Sequence, residues 1–387
     1  MHELHIRQDG EDYYVGRVDT GEFVLLPEVG VRAIRLLRDG LSVDEAAYRL
    51  GEEVDLIDFA DQLRELDYVA AVDDQAPPDR PTEKPTLPRL RREHVRWLLS
   101  PALALAVLAL LLAGVIAVVH RPSVLPGYRD LVWSQHTGLV LVVNAAVGWM
   151  LVFLHELAHL ATARAEGVPG WMRLGTRLQF LVVQTDVSGV WSAARPVRMA
   201  VYLSGVALEL SIAAIGLLAL SFSEPPAVVG GAISLVIVLI ITSLPFEAMV
   251  FMRTDLYFVL QDLSRCPNLY AQGGSYVRYW LSRVIRQRRP DPTLDWMRRE
   301  RLAVRWYAAL LLVGTVCCLA AFVVLMLPAT ITLAGNAITG LGSSSAAAVI
   351  DSTATILVVV FFQILWIRAW LRRHGPRVAA WLHARFT

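Results

Sequence analysis

The sequence predicts a polytopic α-helical membrane protein with about six transmembrane helices, a membrane-associated β-ribbon and a small α+β domain at its N-terminus. Two observations lead to this prediction. Hydrophobic residues make up 55% of the 387 positions, and the mean hydropathy of +0.48 is high for a soluble protein. Several apolar stretches also reach the roughly 20 residues that a helix needs to cross a hydrocarbon core.

Residues 1–74 are predicted to form the small domain. Two β-type runs, 13–18 and 22–26, precede three amphipathic helical patterns at 29–37, 43–50 and 56–66. Ser42 and Asp55 stand where helix N-caps are expected, and Gly40 is a helix stop. A strand pair followed by helices of this length is of winged-helix size.

A linker and a membrane domain follow. Residues 75–96 begin with a stretch rich in proline and charge that has no apolar period, which predicts a flexible linker. Residues 97–372 form the predicted membrane domain and 373–387 its cytoplasmic tail. The candidate spans are residues 97–119, 138–163, 197–222, 227–251, 303–327 and 349–367.

Arginine placement predicts the orientation of these spans. Positive residues near span ends collect on the cytoplasmic side, and here they are concentrated in alternate segments. Those arginines are Arg89, Arg91, Arg92 and Arg96 before the first span; Arg164, Arg173, Arg177, Arg195 and Arg198 after the second; the run from Arg253 through Arg286, Arg288 and Arg289 to Arg305 after the fourth; and Arg368, Arg372 and Arg373 after the sixth. The other loops hold only Arg121 and Arg129. Both termini are therefore expected in the cytoplasm.

Two shorter features complete the outline. The region 171–191 is too short and too polar to cross, but its β-branched and aromatic content predicts a β-ribbon at or in the cytoplasmic membrane surface. The three cysteines cannot form a disulfide framework, and Cys317 and Cys318 adjoin inside an apolar run.

The second span contains the segment LVFLHELAHLATARA. His155 and His159 are four residues apart, so on a helix they share one face and can offer two imidazole nitrogens to one tetrahedral ion. Glu156 follows His155 directly and is placed to act as a general base on water. Ionisable groups are costly inside a span, which favours a functional zinc half-site over buried histidines with Glu156 paired to Arg164.

A catalytic zinc usually takes three protein ligands. The best candidate for the third is Asp255, which follows the fourth span and could be folded back beside His155 by a break at Pro245. Glu247 is the rival ligand. The alternative for Asp255 is an interfacial residue paired with Arg253.

These residues resemble the site-2 protease family of intramembrane zinc metalloproteases, and within it a bacterial group of peptide zinc metalloproteases. The resemblance covers about residues 138–265. That family pairs an HExxH helix with an aspartate in a later span, which implies His155, His159 and Asp255 as zinc ligands and Glu156 as the catalytic residue. The glycine that commonly follows the aspartate is Leu256 here.

Two further segments resemble this bacterial group. TDVSGVW at residues 185–191, which contains Asp186, looks like its ribbon segment. LSGVALE at residues 203–209 stands where many relatives carry a Gly-Pro-x-x-Asn run, with Val206 and Glu209 in place of the proline and the asparagine. The roles of Asp186 and Glu209 are left open.

The first 74 residues separately resemble the PqqD-like domain, a peptide-recognition element for ribosomally made, modified peptides. The segments are GEFVLLPEVGVRAIRLLRDGLSVDEAAYRL and DFADQLRELDYV. A small interaction or DNA-binding domain is the alternative, but the acidic helical part would repel phosphate, so no nucleic-acid partner is expected.

Together these resemblances imply a zinc metalloendopeptidase of the bacterial inner or cell membrane. It would cleave a peptide or membrane-protein substrate near the cytoplasmic side, in maturation or export of a ribosomally made peptide, with peptide-modification or export proteins as partners. The alternatives are a non-catalytic peptide exporter, an immunity protein and an anchored regulator. An anchor does not require His, Glu and His on one helix, and no inverted pair of halves typical of transporters is evident.

Overall fold

The computed structural model describes residues 1–10, 12–17, 20, 23–51, 55–71, 84–266, 268–286, 290–294 and 296–386. Some predicted residues fall outside these ranges. They are Val18 at the end of the first β-type run, Glu22 at the start of the second, the linker residues 75–83, and Arg288 and Arg289. The chain forms two compact units. The first comprises Met1–Ser100, His159–Met172 and Thr185–Val201; the second comprises Pro101–Ala158, Arg173–Gln184 and Tyr202–Thr387.

The N-terminal part of the first unit is a three-stranded antiparallel sheet followed by three helices. The strands pair in the order β1-β2-β3, and β1 was not predicted from the sequence. The elements are β1 His5–Asp9, β2 Asp12–Gly16, β3 Phe23–Pro27, α1 Glu28–Arg38, α2 Val43–Leu50 and α3 Leu56–Glu65. Val15, Ile34, Leu63 and Tyr68 form the core between sheet and helices.

The predicted helix caps are confirmed. The Ser42 hydroxyl accepts a hydrogen bond from the Glu45 amide at 3.3 Å, and the Glu45 carboxylate accepts one from the Ser42 amide at 3.0 Å. This capping box satisfies two amides that the first turn of α2 leaves without helical partners. The Asp55 carboxylate caps α3 by accepting from the Asp58 and Ile57 amides at 3.0 and 3.2 Å, and Gly40 takes a φ of 88° just beyond α1.

The sheet packs against a 3₁₀ turn at Ser188–Ser192, within the same unit. Tyr14 stacks on Trp191 with ring centroids 5.3 Å apart. The guanidinium of Arg198, which is only 2% exposed, lies 5.4 Å from the Trp191 ring and 5.9 Å from the Tyr14 ring, and 3.5 Å from the Asp9 carboxylate. This contact was not predicted from the sequence.

Part of the segment expected to belong to the linker makes defined hydrogen bonds. The Thr86 amide donates to the Gly170 carbonyl at 3.0 Å, and the Thr86 hydroxyl accepts from the Met172 amide at 2.9 Å. The short helix α4, Arg92–Val95, follows, and the Arg92 side chain donates to the Ala165 carbonyl at 3.1 Å.

Among the residues that the structure describes, six helices are long and apolar enough to cross a membrane, in agreement with the number of predicted spans. They are α5 Pro101–His120, α6 Thr137–Ala165, α7 Arg195–Phe222, α8 Ala227–Glu247, the continuous stretch Arg298–Gly340, and Ala346–Arg372.

Two predicted span ends were wrong. α8 ends at Glu247, two residues after Pro245 and before the predicted residue 251. The fifth helix does not end at 327: α11 Arg298–Ala321 continues through a π-helical turn, Phe322–Met326, into α12 Leu327–Gly340. Pro328 lies just after the π-helical turn, and local adjustments of this kind accommodate a proline, which has no N–H to donate, within a spanning helix. α13, Ala346–Phe386, includes residues 373–386 of the predicted tail.

The predicted β-ribbon is present as β4, Trp171–Arg177, and β5, Phe180–Asp186, which form a two-stranded sheet. Its tip packs within the second unit: Phe180 contacts Phe246 edge to face, with ring centroids 5.3 Å apart. The Gln179 amide also donates to the Cys318 sulfur at 3.2 Å. Cys266, Cys317 and Cys318 are free thiols.

Candidate metal centre

Helix α6 carries His155, Glu156 and His159 near its C-terminal end. Both histidines are buried, at 7% and 6% exposure, and Glu156 is half-buried. The rings share one face because four residues make slightly more than one helical turn. Local helical geometry therefore produces the pair of imidazoles that the sequence predicted.

Asp255 reaches the same place through a reversal of the chain after α8. Arg253 adopts a left-handed φ of 61°, and helix α9, Asp255–Ser264, begins with Asp255 itself. Helix α10, Leu269–Val284, follows α9. Two bonds hold the turn: the Thr254 hydroxyl donates to the Glu247 carbonyl at 2.7 Å, and the Asp255 amide donates to the Glu247 carboxylate at 3.2 Å. The Asp255 carboxylate then lies 3.0 Å from Nε2 of His155.

His155, His159 and Asp255 could hold a metal ion, because one ligand atom of each lies within 4.8 Å of the others. Ligand atoms about 2.0–2.1 Å from a tetrahedral ion are about 3.3 Å apart, close to the 3.0 Å between His155 Nε2 and Asp255 Oδ2. The Nδ1 atom of His159 donates to the Val201 carbonyl at 2.7 Å, so Nε2 of that ring carries the lone pair that a metal needs. The donor set of two imidazoles and one carboxylate is therefore one that could hold a metal ion.

The rival residues have other positions. Glu247, the alternative third ligand, accepts the amide hydrogen of Asp255 and is not one of the three grouped residues. The guanidinium of Arg253, the alternative partner for Asp255, lies over the rings of Tyr270 and Tyr257 at 5.5 and 5.9 Å. Asp186, whose role the sequence left open, closes a local turn by accepting from the Ser188 amide and hydroxyl.

Two residues of α7 surround His155, and no role was assigned to them from the sequence. The Glu209 carboxylate lies 3.2 Å from Nδ1 of His155 and is almost fully buried. A Cβ placed on Gly205 would lie within 3.0 Å of three atoms of the same ring. An ionisable residue in the middle of an apolar helix was the available signal for Glu209.

Arg177, at the end of β4, brings a positive charge toward the site. Burial lowers the pKa of its guanidinium, and the neighbouring carboxylates of Glu156 and Asp255 act in the opposite direction. An arginine side chain stays protonated under these conditions. From the sequence, Arg177 was counted only among the arginines that predict the orientation of the spans. Its position near Glu156 was not predicted, because the approach of the ribbon to α6 depends on tertiary packing.

Comparisons with protein-family models, with curated proteins and with solved structures find no match for this chain. What the described residues establish is a helical chain that could be membrane-associated, with a two-histidine, one-aspartate group suited to a metal ion.

Proposed function

We propose that this chain is an integral membrane zinc metalloprotease that hydrolyses peptide bonds of a peptide or membrane-protein substrate near the cytoplasmic side of the membrane. The observation that carries the proposal is the grouping of His155, His159 and Asp255 next to Glu156. Three protein ligands leave one position of a tetrahedral ion open, which is typical of catalytic zinc, whereas structural zinc has four protein ligands.

Each residue has a role in this proposal. His155, His159 and Asp255 would hold the ion. Zinc, when bound, supplies Lewis acidity that polarises the scissile carbonyl and lowers the pKa of water. Glu156 takes the proton from the attacking water and delivers it to the leaving amine. Arg177 adds a fixed positive charge that favours negative charge developing on the carbonyl oxygen.

The ribbon suits a protease substrate. A two-stranded sheet has outer edges with backbone groups that an extended peptide can pair with, and this mode of binding depends little on side chains. The PqqD-like N-terminal domain would recruit the peptide and raise its concentration near the membrane domain. The arginine-rich segments support cytoplasmic termini, and the bacterial membrane as location follows from the family resemblance.

Zinc content of the purified full-length protein in detergent tests the proposal. The wild type and Glu156→Gln should each bind about one zinc per chain, because Glu156 is not a ligand. His159→Ala and Asp255→Ala should lose that zinc. His136→Ala, which changes an exposed histidine outside the site, is the matched control and should retain it.

Peptide cleavage is measured on the same zinc-loaded preparations, with a fluorogenic peptide library in detergent or lipid nanodiscs. Wild type and His136→Ala should cleave, and Glu156→Gln should bind zinc without cleaving. A wild type that takes up no zinc under loading conditions would refute the metal site. Zinc binding without cleavage of any peptide in the wild type would instead favour a non-catalytic exporter or anchored regulator.

A further inference from the structure

Glu209 is a buried acid and the one charged side chain of α7 after Arg198. It lies in the middle of α7 with 5% of its surface exposed. Removing a carboxylate from water is costly unless its oxygens are hydrogen-bonded. Its contacts therefore indicate what keeps the carboxylate in this position.

Both oxygens of Glu209 face polar groups of neighbouring helices. Oε1 lies 3.2 Å from Nδ1 of His155 on α6. Oε2 accepts from the Ser243 hydroxyl of α8 at 3.4 Å. The short contact is the one to the histidine, so the carboxylate is directed mainly at that ring.

Gly205 completes a cradle for the same ring. It precedes Glu209 by four residues, so both lie on one face of α7. Because a Cβ at Gly205 would lie within 3.0 Å of the His155 ring, the imidazole packs directly on the α7 backbone. Gly205 provides the space for the ring, and Glu209 accepts its hydrogen.

The two nitrogens of His155 therefore have different partners. Nδ1 points to Glu209, and Nε2 points to Asp255 at 3.0 Å. The two nitrogens point away from each other across the imidazole ring, so Glu209 lies behind the ring and not among the grouped ligand atoms. A carboxylate in this place keeps the proton on Nδ1 of the ring. The lone pair is then on Nε2, and the carboxylate makes Nε2 a more basic ligand for a metal ion.

We propose that Glu209 is a positioning residue for metal binding: with Gly205 it holds His155 in the ring orientation and tautomer that direct Nε2 to the ion. This inference rests on the metal site of the proposed function. Glu209 lies outside the HExxH motif and is not the ligand Asp255. In this proposal the residues that orient the His155 ring belong to α7.

Metal affinity of the full-length protein in detergent tests the inference. Cobalt(II) or zinc(II) is titrated against a chromophoric chelator for wild type, Glu209→Ala, Glu209→Gln and Glu224→Gln. Loss of an outer-shell partner typically weakens metal binding about 10- to 100-fold, and that loss is expected for Glu209→Ala. Glu209→Gln keeps an acceptor oxygen without the charge and should lose less. Glu224→Gln makes the same change at an exposed position after α7 and should bind as the wild type does.

The cobalt(II) absorption spectrum separates positioning from ligation. The Glu209 variants, when saturated, should keep the wild-type band pattern, because the coordinating atoms are unchanged. An unaltered affinity in both Glu209 variants would overturn the inference, and so would a changed coordination number. A wild type without metal binding would reject the proposed function itself. If Glu209→Ala unfolds, the nearly isosteric Glu209→Gln provides the same comparison.

Discussion

Replacing Gly205 with alanine should displace the His155 ring and abolish tight metal binding. The new Cβ would lie within 3.0 Å of three ring atoms, whereas ordinary van der Waals contact begins at 3.4 Å. The ring must therefore retreat by more than 0.4 Å (3.4 minus 3.0), twice the tolerance of about 0.2 Å for metal–ligand distances. We expect metal affinity to fall by at least about 100-fold, which is the largest loss typical for changing a residue that orients a metal ligand.

The matched control is Gly148→Ala on α6, seven residues before His155. No heavy atom lies within 4 Å of a Cβ at Gly148, so this change should leave metal affinity as it is. Overpacking at Gly205 should also lower the free energy of unfolding by about 1–3 kcal/mol. The assay is a competitive cobalt(II) titration combined with thermal unfolding in detergent. Wild-type affinity in a folded Gly205→Ala variant would show that the ring does not depend on this close approach.

Two further predictions concern contacts outside the metal group. Arg198→Ala should release the N-terminal sheet from the turn at Ser188–Ser192, because it removes a buried guanidinium that contacts Tyr14, Trp191 and Asp9; desolvated cation–π contacts contribute about 2 kcal/mol. Faster amide hydrogen exchange in β2 would report this release. Arg195→Ala, at an exposed position, is the control variant. Unchanged exchange in Arg198→Ala would contradict the prediction. Asp351→Ala should destabilise the start of α6 by about 0.5–2 kcal/mol, as loss of an N-cap does, since its carboxylate accepts from the Gly138 and Leu139 amides at 2.8 and 3.3 Å. Thermal unfolding measures the loss of stability, and Asp351→Asn should lose less stability than Asp351→Ala. Equal stability of the wild type and both variants would refute the prediction.

Local patterns in the sequence were sufficient for several features. The four-residue spacing of His155 and His159 places both rings on one helical face whatever the helix packs against. Ser42 and Asp55 cap their helices through bonds to amides two or three residues away. The six apolar helices follow from length and composition, which do not depend on helix order. Each of these features is decided within about one element of chain.

Other features required the tertiary structure. Asp255 meets His155 because Glu247 and Thr254 hold a turn after α8; the sequence suggested a break at Pro245, but it predicted neither the end of the helix at Glu247 nor the bonds of the turn. Glu209 and Gly205 acquire a role only because α7 packs against the His155 ring, and Arg177 only because β4 ends near Glu156. Helical periodicity determined the two imidazoles by themselves, whereas the third ligand and the residues that orient His155 depend on contacts 50 to 100 residues apart.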